Sequence, residues 1–337
     1  MAQPVTVYRW DDPGAPQRSP SNAQQILNIL KKCLVEGYGT KDPLGWTLEY
    51  EDPTDGVAVF RNSPVNGSGG VFRFTTQSGL TGPYIRTQSA QAATGTSFAD
   101  LFNPGYLNTI GTDPSFTRWI LVGNKKSFYF ILHHASQNFN SSIPEVCFFC
   151  GDIDSLTPED ASKFICTGFN SNSTTSAPTI GTMNSGVVGP LSFYSDTTNN
   201  LNATFSGDAS RSRILFPTSV DGSALSSAYS IYVPGLPGTG TPNSIVSNTS
   251  WPAGSIIEYL YIKREVSLTA ETMFATDRPL IRGRMPGIMT PKLRGFHAET
   301  WPVIKEIDGV NYLGVSIISS SSTHGGIIFW INLEDWG

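Results

Sequence analysis

Apolar and polar residues alternate over short stretches along most of the chain, the period of two that marks half-buried strands. The densest block spans residues 119–154. Apolar runs at 119–122 and 127–132 flank the turn Gly123-Asn-Lys-Lys126, and a third run at 146–150 ends in Gly151-Asp-Ile-Asp154. β-branched and aromatic residues dominate these runs, which predicts a buried sheet around which the rest is arranged.

One stretch follows a helical period instead. Ile26, Leu27, Leu30, Cys33 and Leu34 recur at intervals of three and four and share one face. Ser21 and Gln24 have capping-box spacing, Lys31 and Lys32 sit in the last turns, and Gly37 is a natural stop. The pattern predicts an amphipathic helix lying against a sheet. A second, short helix is predicted from Thr157 to about Phe164, with Thr157 as N-cap, Pro158 at the first helical position and two acids behind it. Strands are predicted at 4–10, 46–50, 56–61, 71–75, 84–87, 191–194, 213–216, 229–233, 257–263 and 327–333, with a helical turn at 97–101. Residues 303–307 and 310–318 form a predicted hairpin around Asp308-Gly309. No fixed-period repeat runs through the chain.

These elements predict a mainly β fold. Its core is an antiparallel β-sandwich or barrel-like unit with one N-terminal amphipathic helix. That core is assigned to 1–166 plus 256–337, interrupted by a β-rich insertion at 167–255. The insertion stands out by composition. Residues 167–257 hold five charged side chains, Asp196, Asp208, Arg211, Arg213 and Asp221, among Ser, Thr, Gly, Asn and Pro. The aromatics retained there argue for a folded segment with long loops.

Charge narrows the function classes. Charged residues make up 15% of the 337 and the formal net charge is -5. That balance argues against general nucleic-acid binding, which needs a basic face to displace counterions. Low charge suits close subunit packing or sugar contact. No apolar run of membrane-spanning length occurs, and the first residues lack the apolar stretch of a signal peptide. The sequons at Asn66, Asn140, Asn172, Asn202 and Asn248 follow from Asn/Ser/Thr richness rather than from glycan use.

Candidate chemistry is sparse. Cys147-Phe-Phe-Cys150 matches C-x-x-C, but residues three apart on a strand face opposite ways, and Cys33 and Cys166 supply no second zinc-ligand pair. Buried free thiols are the expectation for all four, with a disulfide or a metal site as alternatives. His133 and His134 are adjacent on a strand and do not chelate one metal without a bend. Asp152 and Asp154 are assigned turn and helix-entry duty; the alternatives are Ca²⁺ ligation and a glycosidase acid pair. No nucleophile elbow, zinc-protease or P-loop motif is present. No cofactor or metal is expected.

One charged segment stands apart. Arg278, Arg282, Arg284, Lys292 and Arg294 fall within seventeen residues without an acid, in a Pro/Gly-punctuated stretch read as a loop. Arginines on a rigid loop suit bidentate pairing with carboxylates of a neighbouring subunit, or with phosphates. Acidic overall charge favours the subunit contact.

Several segments resemble virion structural proteins of tailed bacteriophages, of the kind associated with the tail tip or baseplate. They are Trp119-Ile-Leu-Val-Gly-Asn124, Phe128-Tyr-Phe130, Phe149-Cys-Gly-Asp-Ile153, Arg282-Gly-Arg-Met-Pro-Gly287, and the opening strand and helix leading to Gly45-Trp46. The resemblance covers residues 1–165 and 256–337 and leaves out 167–257. It implies a non-enzymatic subunit, made in the bacterial cytoplasm and built into the virion beside copies of itself and other virion subunits. A neck or capsid-decoration position is the variant of that reading. Two further hypotheses remain. One is a receptor- or carbohydrate-binding protein meeting a host surface glycan through insertion aromatics, chiefly Tyr194, Tyr232 and Trp251 with Phe193 and Tyr229. The other is a glycan hydrolase using Asp152 or Asp154.

Overall fold

The structure, a computed structural model, describes residues 2–19, 23–76, 84–112, 115–135, 139, 145–168, 173–175, 214–224, 229–232, 257–264, 281–291, 299–316 and 328–337. They form a mainly β molecule of antiparallel sheets with one α-helix among the described residues.

The central sheet has five strands in the order Phe164–Cys166, Val146–Asp152, Ser127–His133, Arg118–Gly123 and Thr6–Arg9. Its inner hairpin is set by Asn124, whose side-chain oxygen accepts from the Lys126 and Ser127 N–H groups at 2.9 and 3.2 Å. Successive side chains then leave on opposite faces. Trp119, Leu121, Phe128, Phe130 and Phe148 pack with the helix and with Phe60, Phe72 and Phe74 of a second sheet. Ile120, Val122, Tyr129, Ile131 and Phe149 pack on the other side with Ile262, Met285, Leu313 and Phe329 of a third. Burial on both faces explains why residues 128–132 read as a continuous apolar run. Each such side chain contributes about 1.5–3 kcal/mol by burial, against ~1 kcal/mol net for a hydrogen bond, so these two cores hold the layers together.

The helix runs Ala23–Lys31 and continues as one wide turn, Lys32–Glu36. Ile26, Leu27, Leu30, Cys33 and Leu34 are all buried, as the spacing predicts. It stops at Gly37, which takes φ 78° and donates its N–H to the Lys32 carbonyl at 2.7 Å. The Leu44 and Trp46 N–H groups satisfy the carbonyls of Cys33 and Leu34, which would otherwise be orphaned at the helix end.

The second sheet is ordered Thr47–Asp52, Val57–Arg61, Val71–Thr76, Tyr84–Ala90, Asn108–Gly111. The third runs Tyr229–Tyr232, Ile257–Arg264, Ile281–Pro291, Ile328–Asn332, Val310–Ser316, Ile304–Ile307, with Asp154–Ser155 paired to Ile281–Pro291. Each sheet is an open path with two edges, and no closed barrel forms among the described residues. The hairpin at Asp308-Gly309 is present, with φ 50° and 80° at the two turn residues as a type I′ turn requires. Of the segment assigned to the insertion, Tyr229–Tyr232 is hydrogen-bonded along Ile257–Arg264, and Ile214, Phe216 and Tyr229 join the same core as the third sheet. The strand expected at 191–194 lies outside the described residues.

Two expectations are corrected. The helix from Thr157 to Phe164 does not form. Glu159 takes φ 61°, outside the right-handed helical region, and the Asp160 carboxylate is drawn to Arg282 instead of a helix N-terminus. The segment containing Arg282 is a strand, Ile281–Pro291, rather than a loop. Its glycines mark close approaches. A Cβ on Gly283 would lie 2.6 Å from the Asp154 carbonyl oxygen, and one on Gly287 would lie 2.0 Å from the Trp336 indole nitrogen. Punctuation in the sequence therefore reflects neighbours crossing the strand, together with the register shifts where it meets Ile257–Arg264.

Candidate functional site

Arg282 sits at the centre of a buried hydrogen-bonded node. Its side chain is fully buried. Nε and Nη2 donate to the two Asp160 carboxylate oxygens at 3.0 and 2.6 Å, Nη1 to the Thr218 carbonyl at 2.9 Å and Nη2 to the Ser162 carbonyl at 2.6 Å. The guanidinium lies 3.9 Å from the centre of the Phe216 ring. Burial raises the Asp160 carboxyl, but hydrogen bonds and charge from Arg282, with the Ser162 N–H and Ser155 hydroxyl, outweigh it and hold the group below the ordinary carboxylate range. This node fastens residues 155–162 and 214–224 to Ile281–Pro291. Arg282 is thus committed inside the chain, which corrects its assignment as an arginine facing another subunit.

Arg284 stands opposite Asp154 in the strand register and lies 4.4 Å from the centre of the Tyr259 ring, which is partly exposed. Its Nε is buried without a hydrogen-bond partner among the described residues. Arg278, Lys292 and Arg294 lie outside the described residues. So do Tyr194 and Trp251, and Tyr232 stands in its strand opposite Tyr261.

The two aspartates are led apart. Asp152 is 2% exposed and accepts from the Ser68 N–H at 2.7 Å and from the Ser68 hydroxyl, binding the 62–70 loop of the second sheet. Asp154 belongs to the third sheet. Burial raises both carboxyls; Ser68 opposes this at Asp152, and Arg284, Lys126 and Lys163 oppose it at Asp154. Raised carboxyls suit a general acid, but Asp152 is closed over by its own loop. His133 and His134 also diverge. His133 stacks on Trp301 with centroids 4.4 Å apart and meets Glu145 at 3.1 Å, both side chains 1% exposed. His134 packs edge-on to Phe116. All four cysteines are buried. Among the described residues no three His, Cys, Asp or Glu side chains cluster as metal ligands.

Sequence reasoning passed over the face of the second sheet turned away from the helix, which is buried and where Val59, Val71 and Ala90 form a small core with Ala93 and Leu101. The register sets Arg73 opposite Gln88, Thr75 opposite Arg86, and Arg86 opposite Thr109, all on the face turned away from the helix. Arg73 is 5% exposed. Its Nε donates to the Thr96 carbonyl at 2.6 Å, and its guanidinium lies 4.1 Å from the Phe98 ring centre. Burial, and then the charge of Arg86, lower its pKa to about 10, with Asp100 opposing. Asp100 itself is committed to the Ser97 N–H. Arg73 Nη1, Arg86 Nε, Gln88 Oε1 and Thr109 Oγ1 are buried without hydrogen-bond partners among the described residues. Phe102 of the neighbouring Leu101–Phe102 strand is 60% exposed. The available signal was Arg73 itself, a cation between Phe72 and Phe74 in an alternating strand.

The chain matches no protein-family model and no curated protein.

Proposed function

We propose that this protein is a non-enzymatic structural subunit of a tailed-phage virion, placed at the tail tip or baseplate and acting through contacts with copies of itself and other virion subunits. The segments that carry the resemblance are structural in this fold. Residues 119–124, 128–130 and 149–153 build the central sheet, and residues 282–287 cross the third. We also read the shared cores as a layered sandwich, with the central sheet between the other two. In this reading the protein is assembled in the host cytoplasm and resides in the virion.

The observation that carries the proposal is the Arg73–Arg86 face. Two guanidiniums of like charge share a sheet face with unpaired donors and acceptors. Leaving such groups unsatisfied costs about 1–3 kcal/mol each, more when charged. A partner carboxylate reaching the half-buried Arg86 would offset the repulsion. Of the candidate chemical groups, Asp152 is committed to Ser68, and His133 to Glu145 and Trp301. The test is co-sedimentation of the tagged protein with phage particles, alongside its mass in solution. The proposal expects the wild-type chain in particles and Arg86→Glu depleted from them, with unchanged far-UV circular dichroism. A chain that is monomeric at all concentrations and absent from particles would rule it out.

A further inference from the structure

Cys150 and Cys166 stand directly opposite each other on the antiparallel strands Val146–Asp152 and Phe164–Cys166. The Thr167 N–H donates to the Phe149 carbonyl at 3.0 Å, so the ladder's hydrogen bonds bracket the cysteine pair rather than join it. Pairs of that kind have Cα atoms about 4.5 Å apart and the closer side chains. A disulfide spans Cα separations of about 4.4–6.8 Å. The two Sγ atoms are 3.1 Å apart. Reaching a bond length of about 2.05 Å takes a movement of about 1 Å, within reach of side-chain rotation. The other cysteines are placed differently. Cys147 faces the opposite core from Cys150, and Cys33 belongs to the helix.

We propose that Cys150 and Cys166 are a latent cross-strand disulfide: thiols in a reducing compartment, and joined once the protein meets an oxidised low-molecular-weight disulfide. The Cys166 thiolate attacks one sulfur of that disulfide and expels a small thiolate, forming a mixed disulfide. The Cys150 sulfur then attacks Cys166 and expels the second small thiolate. The protein loses two protons and two electrons, and the small disulfide takes up both to become two thiols. Burial raises the Cys150 thiol and withholds its reactive form. Cys166 is 4% exposed at the end of a three-residue edge strand, so exchange waits on local opening of that strand. Once formed, the bond fixes the edge from which the chain leaves toward residue 169. The inference is independent of the virion reading.

The test uses the full-length chain, reduced, desalted and exposed to oxidised glutathione, once folded and once while refolding from urea. Both samples are denatured in N-ethylmaleimide and mapped by mass spectrometry. The expected result is that two of the four cysteines resist alkylation, with a peptide link joining 150 to 166. The link should form faster during refolding, disappear with dithiothreitol and persist in the Cys33→Ser/Cys147→Ser variant. Alkylation of all four in both samples, glutathione retained on Cys150 or Cys166, or a link between any other pair would overturn the proposal.

Discussion

Arg282 and Asp160 form a buried ion pair that spans three segments of the chain, and such pairs are costly to break from one side. Desolvation of the surviving charge outweighs the loss of the contact itself. Arg282→Ala is therefore expected to lower stability by about 3–5 kcal/mol in urea denaturation, with loss of ordered packing around Phe216. The pH dependence has a definite sign. Asp160 is held below its ordinary value of 3.8 in the folded state, so its contribution is complete above that value and is lost as pH falls through the lower folded value. Asp160→Asn lacks the charge at every pH. The stability gap between it and the wild type should be widest near neutrality and shrink below about pH 4. A gap that widens in acid would contradict the assignment. At this scale the sequence made Arg282 conspicuous through its cationic neighbours, but not its partner, because Asp160 lies 122 positions away. Arg73 and Arg86 escaped notice because their proximity depends on strand register.

Among the elements, those with a clear period are where the pattern put them: the helix face, the 118–133 hairpin and the turn at Asp308-Gly309. Tertiary context decided the others. Ile281–Pro291 carries two glycines and two prolines yet forms a strand, because Ile257–Arg264 and Ile328–Asn332 pair with its flanks. Thr157 and Pro158 have the chemistry of a helix start, but Arg282 claims Asp160 and the chain turns instead. The strand's glycines give a direct check. Gly287 has φ 61°, and a Cβ there meets the Trp336 ring. Gly287→Ala should cost about 1–3 kcal/mol through overpacking and backbone strain, with a changed tryptophan emission spectrum. For the Cys150–Cys166 pair, closing a loop of this length corresponds to about 3 kcal/mol in the chain-entropy account. The oxidised protein should therefore resist urea better than the reduced one.

At the scale of the whole molecule, the central sheet is buried on both faces, and the face of the second sheet turned away from the helix is buried as well, with Arg86 half-buried on it. That face holds Arg73, which is buried, and Arg86, which is half-buried, with exposed Phe102 on the neighbouring strand, in a protein of net charge -5. A partly accessible cation such as Arg86 on an acidic chain suits contact with a carboxylate of a like or neighbouring subunit. Arg86→Glu is expected to weaken self-association about tenfold or more in sedimentation equilibrium, without lowering the unfolding midpoint, because it removes the like charge beside Arg73. The central claim is that the protein acts as a part of the virion. Immunogold labelling of intact particles with an antibody to this chain tests it most directly. The account predicts gold confined to the distal end of the tail; particles that carry no label, from lysates in which the protein is abundant, would contradict it.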